Sequence, residues 1–288
     1  MKELIFNADD FGMTHGVNEG IIRAHREGVL TSTTLMANMP AFGDAVEHAL
    51  ANPRLGVGCH LVLAGGFSVA PAREVPSLVD SSGRLPESLG ALVARLSLGI
   101  VRQAHIEREF RAQIEKICAA GIKPTHLDTH KHTHAHPRVM LALAKVANEF
   151  DITRVRKPFE NLRDSWMTAR MNGWSSYAQL PAAAAARAVT ALFSSVARNN
   201  GLRSPDHFLG LAGTGSMNLR LLRGLLDTLP DGKTEVMLHP GICDADLAAT
   251  SSRLKKERQS ELNLLLDPEL KLFLDERGIR LISFRELN

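Results

Sequence analysis

Aspartate and histidine residues that could bind a metal ion are the most informative feature of this sequence. Five of its twelve histidines lie between positions 126 and 136, in HLDTHKHTHAHP, and the pair Asp9 and Asp10 follows an apolar run near the N-terminus. Two single histidines, His60 and His239, also follow apolar runs. Imidazole nitrogens combined with carboxylate oxygens suit zinc, iron, manganese or nickel better than calcium. The sequence therefore predicts a divalent-metal site and favours an enzyme.

Each of these residues also has an ordinary structural explanation when it is taken alone. Asp9 and Asp10 can cap the next helix or make an Asx turn, as aspartates after a strand often do. A single histidine on an apolar strand, such as His60, can be a core residue that binds nothing. The joint pattern is what favours the metal site.

The histidine cluster allows more than one interpretation. Alternate residues of an extended chain face the same side, so His126, Asp128 and His130 are expected to point into one pocket. A histidine-rich loop can equally be solvated, or bind metal adventitiously. The roles of His132 and His134 stay open, and both are the next ligand candidates after His130.

The elements that must position these residues alternate along the chain between short apolar runs and amphipathic helical runs. This alternation is typical of βαβ units around a parallel sheet. Strands are predicted at residues 4–8, 32–38, 55–62, 124–129, 152–156, 206–211, 234–238 and 280–283. Helices are predicted at residues 16–27, 42–51, 104–120 and 137–149. With seven or eight parallel strands, we predict an α/β fold, a TIM-like barrel formed by residues 1–288 as a single domain.

The candidate residues fall at the carboxyl ends of the predicted strands, which in a β/α barrel share the face that carries the active site. They are Asp9, Asp10, His60, His126, Asp128, His130, Arg156 and His239. The long loop at 64–86 is expected to be functional. Residues 159–201 are expected to form a helical insertion, in which the alanine-rich run 181–198 has high helix propensity.

Composition and charge exclude several classes of protein. Of the 288 residues, 44% are hydrophobic and 23% are charged, as in ordinary globular domains. The net charge of +3 comes from 34 basic and 31 acidic residues spread along the chain, so no nucleic-acid partner is expected. One short basic group is interpreted as a solvated helix face; it consists of Arg253, Lys255, Lys256 and Arg258.

The cysteines and the N-terminus favour a cytoplasmic protein. Cys59, Cys118 and Cys243 are isolated and odd in number, which is typical of a reducing compartment. The N-terminal residues reach two aspartates before any apolar run long enough for a signal peptide, and no run of about 18 uncharged apolar residues follows. We therefore expect no membrane span.

Four motifs, NADDFG, GCHLVL, HLDTHKHTHAHP and MLHPG, together resemble the YdjC-like carbohydrate deacetylase family. The resemblance runs in order from Leu4 to about Gly241. It implies a distorted β/α barrel with one divalent metal ion, zinc or magnesium, held by Asp10, His60 and His130.

The resemblance also implies roles for three further residues. Asp9 would be the catalytic base, His239 resembles the proton donor of the wider deacetylase superfamily, and Arg156, in RVRKP, resembles the arginine that orients the base. The family implies an N-acetylated amino-sugar substrate. A monomer and a homo-oligomer are both compatible with the sequence.

Within the family, the segment HLVLAGGFSVAPAREVPSLVD is more similar to the hopanoid-biosynthesis branch than to the chitooligosaccharide deacetylases. That branch implies a lipid-linked substrate, N-acetylglucosaminyl bacteriohopanetetrol. Such a substrate would require at least transient contact with a membrane surface, expected to be no more than peripheral to the inner membrane. Residues 181–198 are the candidate segment for this contact, through Leu192, Phe193 and Val196.

Two rival functions remain at this stage. A metal-dependent phosphoesterase would also use histidines and aspartates, with two or three metal ions. Such enzymes commonly begin with a His-x-His pair on the first strand, where this chain has Asp9 and Asp10. A non-catalytic sugar or lipid carrier could keep a structural metal, but would not need both Asp9 and His239.

Overall fold

A curled sheet of parallel strands forms the centre of the computed structural model, which describes residues 1–173 and 190–287. Seven strands lie within these ranges: β1 (Lys2–Phe11), β2 (Ser32–Leu35), β3 (Gly56–Leu61), β4 (Leu127–Thr129), β5 (His207–Leu209), β6 (Gly232–Leu238) and β7 (Arg280–Leu281). Their order is β4-β3-β2-β1-β6-β5, and β7 pairs with the start of β1. The predicted β/α barrel is confirmed.

The barrel is distorted where a fifth strand was predicted at residues 152–156. No regular strand forms there, because each side of the segment makes only an isolated bridge. The Leu127 N–H donates to the Arg154 carbonyl at 3.0 Å, and the Val155 N–H donates to the Arg203 carbonyl at 2.9 Å. The segment thus fills the gap between β4 and the residues that precede β5, without a continuous ladder.

Helices follow most strands and cover the outside of the sheet. Those within the described residues are α1 (His15–Glu27), α2 (Phe42–Ala51), α3 (Leu89–Ser97), α4 (Gln103–Ala119), α5 (Pro137–Glu149), α6 (Leu162–Asn172), α7 (Thr190–Asn199), α8 (Leu219–Asp227), α9 (Ala245–Ala249), α10 (Lys256–Leu266) and α11 (Pro268–Glu276). Three 3₁₀ turns lie at Ala72–Glu74, His130–Ala135 and Phe284–Glu286. The bounds of α2 and α5 match the sequence prediction.

Alternation along β1 shows how the sheet separates two environments. Leu4, Phe6 and Ala8 belong to the main hydrophobic core that packs under the helices. Ile5 belongs to a second, small cluster, and Asp9 contacts Arg156 from across the sheet, so the odd-numbered side chains face the barrel interior. Because successive side chains of a strand point to opposite faces, β1 has an apolar outer face and an interior face that becomes polar towards the carboxyl end of the strand.

The bottom of the barrel interior is closed by the C-terminal segment. Phe284 is fully buried and stacks on the His126 ring, with 3.6 Å between centroids and 6° between planes. The small cluster around it consists of Ile5, Ile282, Phe284 and Leu287. His126 therefore belongs to this apolar plug, and the expectation that it shares a pocket with Asp128 and His130 is wrong.

The described parts of the expected insertion pack on the barrel. Phe193 in α7 is 4% exposed and meets Phe159 edge to face at 5.2 Å between centroids, and Val196 is also buried. Leu192 is the exposed one of the three residues expected to contact a membrane, and that contact stays a prediction. The alanine-rich residues 181–189 lie outside the described residues.

Among the residues described, no helix combines the length and the apolar character needed to cross a bilayer.

Candidate metal centre and active site

The end of β1 directs two consecutive aspartates to different partners. The pairing of β1 with β2 shifts register between Ala8 and Phe11, and Asp10 has φ +70°, a left-handed conformation that non-glycine residues rarely adopt. Such an irregularity re-aims the side chains on a strand. Asp9 and Asp10, which would face opposite sides of a regular strand, thereby both reach the carboxyl end of the barrel.

Three ligand atoms converge there. Asp10 Oδ1 lies 3.2 Å from His130 Nδ1 and 3.5 Å from His60 Nε2, and the two histidine nitrogens are 3.3 Å apart. Ligands at ~2.0–2.1 Å from a tetrahedral zinc are themselves roughly 3.3 Å apart. Asp10 Oδ1 is buried and has no hydrogen-bond partner among the described residues. This set therefore fits a small divalent cation.

His60 is held by a carboxylate behind it. Its Nδ1 lies 2.8 Å from Asp128 Oδ1, and Thr34 Oγ1 donates to Asp128 Oδ2 at 3.2 Å. A hydrogen bond of this kind fixes the tautomer of a metal-binding histidine. Burial alone would lower the pKa of His60, but Asp128 and Asp9 raise it to about 9. A cation at Nε2 would displace this proton.

Asp9 is held by a buried arginine. Arg156 Nη1 and Nη2 donate to the two Asp9 oxygens at 2.7 and 2.6 Å, and Arg156 Nε donates to Glu235 Oε1 at 2.7 Å. Burial would raise the pKa of Asp9, but the charge and hydrogen bonds of Arg156, together with the nearby His60 and His239, hold that pKa well below its usual range. Burial raises the pKa of Glu235 to about 7, against the opposing charge of Arg156.

A second group of possible ligands, Asp9, His60 and Asp128, also lies within 4.8 Å. The Arg156 guanidinium contacts both of its carboxylates, at 2.6 Å from Asp9 Oδ1 and 2.6 Å from Asp128 Oδ2. A cation there would have to displace a buried positive charge that is already paired. The set formed by Asp10, His60 and His130 is therefore the better metal site.

His239 lines the same cavity from the end of β6. Its backbone N–H donates to Glu261 Oε2 at 2.5 Å, and its Nδ1 lies 3.9 Å from that oxygen. Burial lowers the pKa of His239 to about 4, although Asp10 and Asp9 act in the opposite direction. The resting imidazole is therefore neutral near pH 7.

His132 and His134 are not part of the metal set. His134 is fully buried, with Nδ1 2.6 Å from Thr129 Oγ1 and Nε2 3.1 Å from the Arg156 carbonyl oxygen. His132 has φ +52°, its ring meets Phe208 edge on at 5.7 Å between centroids, and it lines the cavity next to His130. Of the cluster, Asp128 and His130 belong to the two groups of possible ligands.

Two buried residues of α10 were missed by sequence analysis. Arg258 is 1% exposed, and its Nη2 lies 2.5 Å from Asp10 Oδ2, so its interpretation as part of a solvated face is wrong. Glu261, one turn further on, accepts the His239 N–H. No local pattern marks them, because their partners lie on β1 and after β6.

The site opens into a cavity of about 1160 Å³ that exceeds the usual size of ligand pockets. The long loop expected to be functional contributes Gly65, Phe67 and Arg84 to its wall. Apolar side chains supply much of the remaining wall: Met13, Met39, Pro40, Leu211 and Leu254. The cavity can accept a ligand larger than one sugar ring.

Comparisons with known proteins agree on one family. The family profile described as YdjC-like protein matches residues 3–276. Two curated relatives, both named carbohydrate deacetylase, come from Geobacillus stearothermophilus (40% identical, covering 98% of this chain and 96% of the relative) and Brevibacillus brevis (36%, covering 99% of both). A crystal structure of a candidate cellobiose-phosphate cleavage protein from Enterococcus faecalis V583 has a TM-score of 0.80 and 28% identity, covering 99% of this chain and 98% of that one.

Proposed function

Because this chain belongs to the YdjC-like protein family, we propose that it is a metal-dependent hydrolase that removes the N-acetyl group from a carbohydrate containing N-acetylglucosamine. Relatives named carbohydrate deacetylase support this reaction. The observation that carries the proposal is the convergence of Asp10, His60 and His130 within 3.2–3.5 Å, beside the buried carboxylate of Asp9.

In this proposal Asp10, His60 and His130 hold one divalent cation. The cation would polarise the acetyl carbonyl and lower the pKa of a water molecule. Two imidazoles and one carboxylate favour zinc or another transition metal over magnesium as this cation.

Asp9 accepts the proton of the attacking water. Its two oxygens are engaged by Arg156, which keeps the carboxylate ionised and fixes its direction. Asp9 Oδ1 also accepts from Asn7 Nδ2 at 3.0 Å, so Oδ2 is the oxygen that retains a lone pair for the water proton. Arg156 is therefore proposed to orient the base, and a general base of this kind contributes roughly 10²–10⁴-fold to a rate.

His239 is proposed to protonate the departing nitrogen, because an amine leaves poorly as an anion. Its pKa of about 4 means that the ring must take up this proton within the substrate complex. Asp10 and Asp9 act to raise the pKa of His239, but burial outweighs them until the substrate is bound. Glu261 fixes the backbone from which the ring projects.

The substrate is proposed to be either a chitooligosaccharide or N-acetylglucosaminyl bacteriohopanetetrol. The cavity volume and its apolar wall are compatible with a second group attached to the acetylated ring. The sequence around the 64–86 loop favours the lipid-linked substrate.

Acetate release tests this proposal. The purified protein is incubated with di-N-acetylchitobiose, and separately with the glycolipid in detergent, each with and without a chelator. We expect release from at least one substrate and its loss on chelation. Acetate release that persists in metal-free protein would contradict the metal dependence. If metal-loaded protein releases acetate from neither substrate, the proposed substrate class is contradicted.

A further inference from the structure

Two buried arginines hold the two consecutive aspartates. The proposed reaction gives a role to Arg156 and none to Arg258. Arg156 pairs with Asp9, whereas Arg258 of α10 pairs with Asp10. Arg258 is 1% exposed, donates from Nε to the Leu254 carbonyl at 3.3 Å and places Nη2 at 2.5 Å from Asp10 Oδ2. A charge buried this deeply is retained only when it is paired.

The contact with Arg258 gives the two Asp10 oxygens different partners. Oδ2 receives the guanidinium, and Oδ1 is left to face the nitrogens of His60 and His130. A carboxylate without such a partner can turn both oxygens towards a cation and occupy two coordination positions. A catalytic site needs one of those positions open.

We propose that Arg258 is a positioning residue that restricts Asp10 to one oxygen at the metal, and so keeps a coordination position free for the reacting groups. This inference rests on the proposed metal set. It concerns how Asp10 binds, which the assignment of Asp10 as a ligand does not specify.

The backbone supports this role for Arg258. Asp10 sits at φ +70°, where its side-chain direction is set by a strained turn that the surrounding structure must hold. Arg258 also approaches Met13 Sδ at 3.6 Å, on the residue after that turn. The guanidinium therefore holds both the carboxylate and the chain that carries it.

The test compares Arg258→Met and Arg258→Lys with Lys256→Met, which removes the same charge from an exposed position on α10. Each protein is stripped with a chelator and loaded with Co²⁺. The visible absorption spectrum then reports the coordination number, and competition with a chelating dye gives the dissociation constant. Neither measurement needs the substrate.

We expect Arg258→Met to bind Co²⁺ with a weaker visible absorption, as the coordination number rises. With a substrate turned over by the wild type, kcat should fall about tenfold or more, as for other residues behind a metal ligand, while KM changes little. Arg258→Lys has a single ammonium nitrogen in place of the planar guanidinium, so its Co²⁺ absorption and kcat should lie between those of Arg258→Met and the wild type. Lys256→Met should match the wild type in both.

Two results would overturn the inference: an Arg258→Met spectrum equal to that of the wild type, or complete loss of Co²⁺ binding by a folded variant. If Arg258→Met does not fold, the Co²⁺ absorption spectrum of Arg258→Lys is measured instead. A spectrum of Arg258→Lys equal to that of the wild type would then overturn the inference. Failure of the wild type itself to bind Co²⁺ would contradict the proposed metal site instead.

Discussion

At the mouth of the barrel the interior side chains are charged and paired, whereas at the bottom of the same interior they are apolar. Asp128 contacts His60 and Arg156 at the mouth, and His126, two residues earlier, stacks on Phe284 at the bottom. Two residues along a strand move a side chain by roughly 6.6 Å while keeping it on one face. Function and stability are therefore separated along single strands.

The separation predicts that substitutions at the mouth change activity and that substitutions at the bottom change stability. The largest effect is expected for Asp9→Asn, which should lower kcat by about 10²–10⁴-fold because the proposed general base is lost. Metal content, measured by elemental analysis, should stay near that of the wild type. Full activity in this variant would remove Asp9 from the mechanism.

The converse substitution is Phe284→Ala at the bottom. Removal of this fully buried ring should lower the free energy of unfolding by about 3–5 kcal/mol in urea titrations. Turnover should stay within about twofold of the wild type, because Phe284 contacts none of the proposed ligands. A large loss of turnover in folded, metal-loaded protein would show that the two ends are coupled.

Asp128→Asn tests the boundary between the two ends, because this residue binds no metal in our account but orients His60. We expect a 10–100-fold loss of metal affinity, measured by competition with a chelator. Asp275→Asn, an exposed change of the same type on α11, is the control. An unchanged affinity would mean that His60 is positioned without Asp128.

The smallest effect is expected from Glu235→Gln, which removes one of three carboxylates around Arg156. Burial raises the pKa of Glu235 from 4.5 to about 7, so its stabilising contribution is full below about pH 4.5 and is lost as the pH rises to about 7. The variant should not lose stability in this way. Above pH 7 its free energy of unfolding should therefore exceed that of the wild type by about 1–3 kcal/mol.

The difference in unfolding free energy between Glu235→Gln and the wild type, measured as a function of pH, separates the titration of Glu235 from that of other groups. Glu276→Gln, an exposed change, should give a flat difference curve. A flat curve for Glu235→Gln as well would contradict the raised pKa.

Local pattern was enough to locate the strands that carry the site. Short apolar runs and amphipathic helical runs predicted β1, β3, β6, α2 and α5, and strand-end placement predicted that the candidate residues share one face. The resemblance to the YdjC-like family singled out Asp10, His60 and His130, which the structure brings together. These features depend on neighbours in sequence, which is why they were predictable.

Features that depend on distant partners were not predictable. Arg258 is buried because it pairs with Asp10, 248 positions away, and nothing in its own helix distinguishes it from exposed Lys256. His126 has the spacing of a ligand, but the depth of the barrel places it against Phe284. The segment at residues 152–156 has a strand-like composition, yet it makes only one isolated bridge on each side.

One metal ion, bound at Asp10, His60 and His130, is proposed to enable hydrolysis. To test this, the wild type is stripped with a chelator, zinc is returned in known increments, and acetate release is measured at each step. We expect activity to rise in proportion to bound metal and to reach its plateau at one ion per chain. Full activity before any metal is added, or a plateau only at two ions per chain, would contradict it.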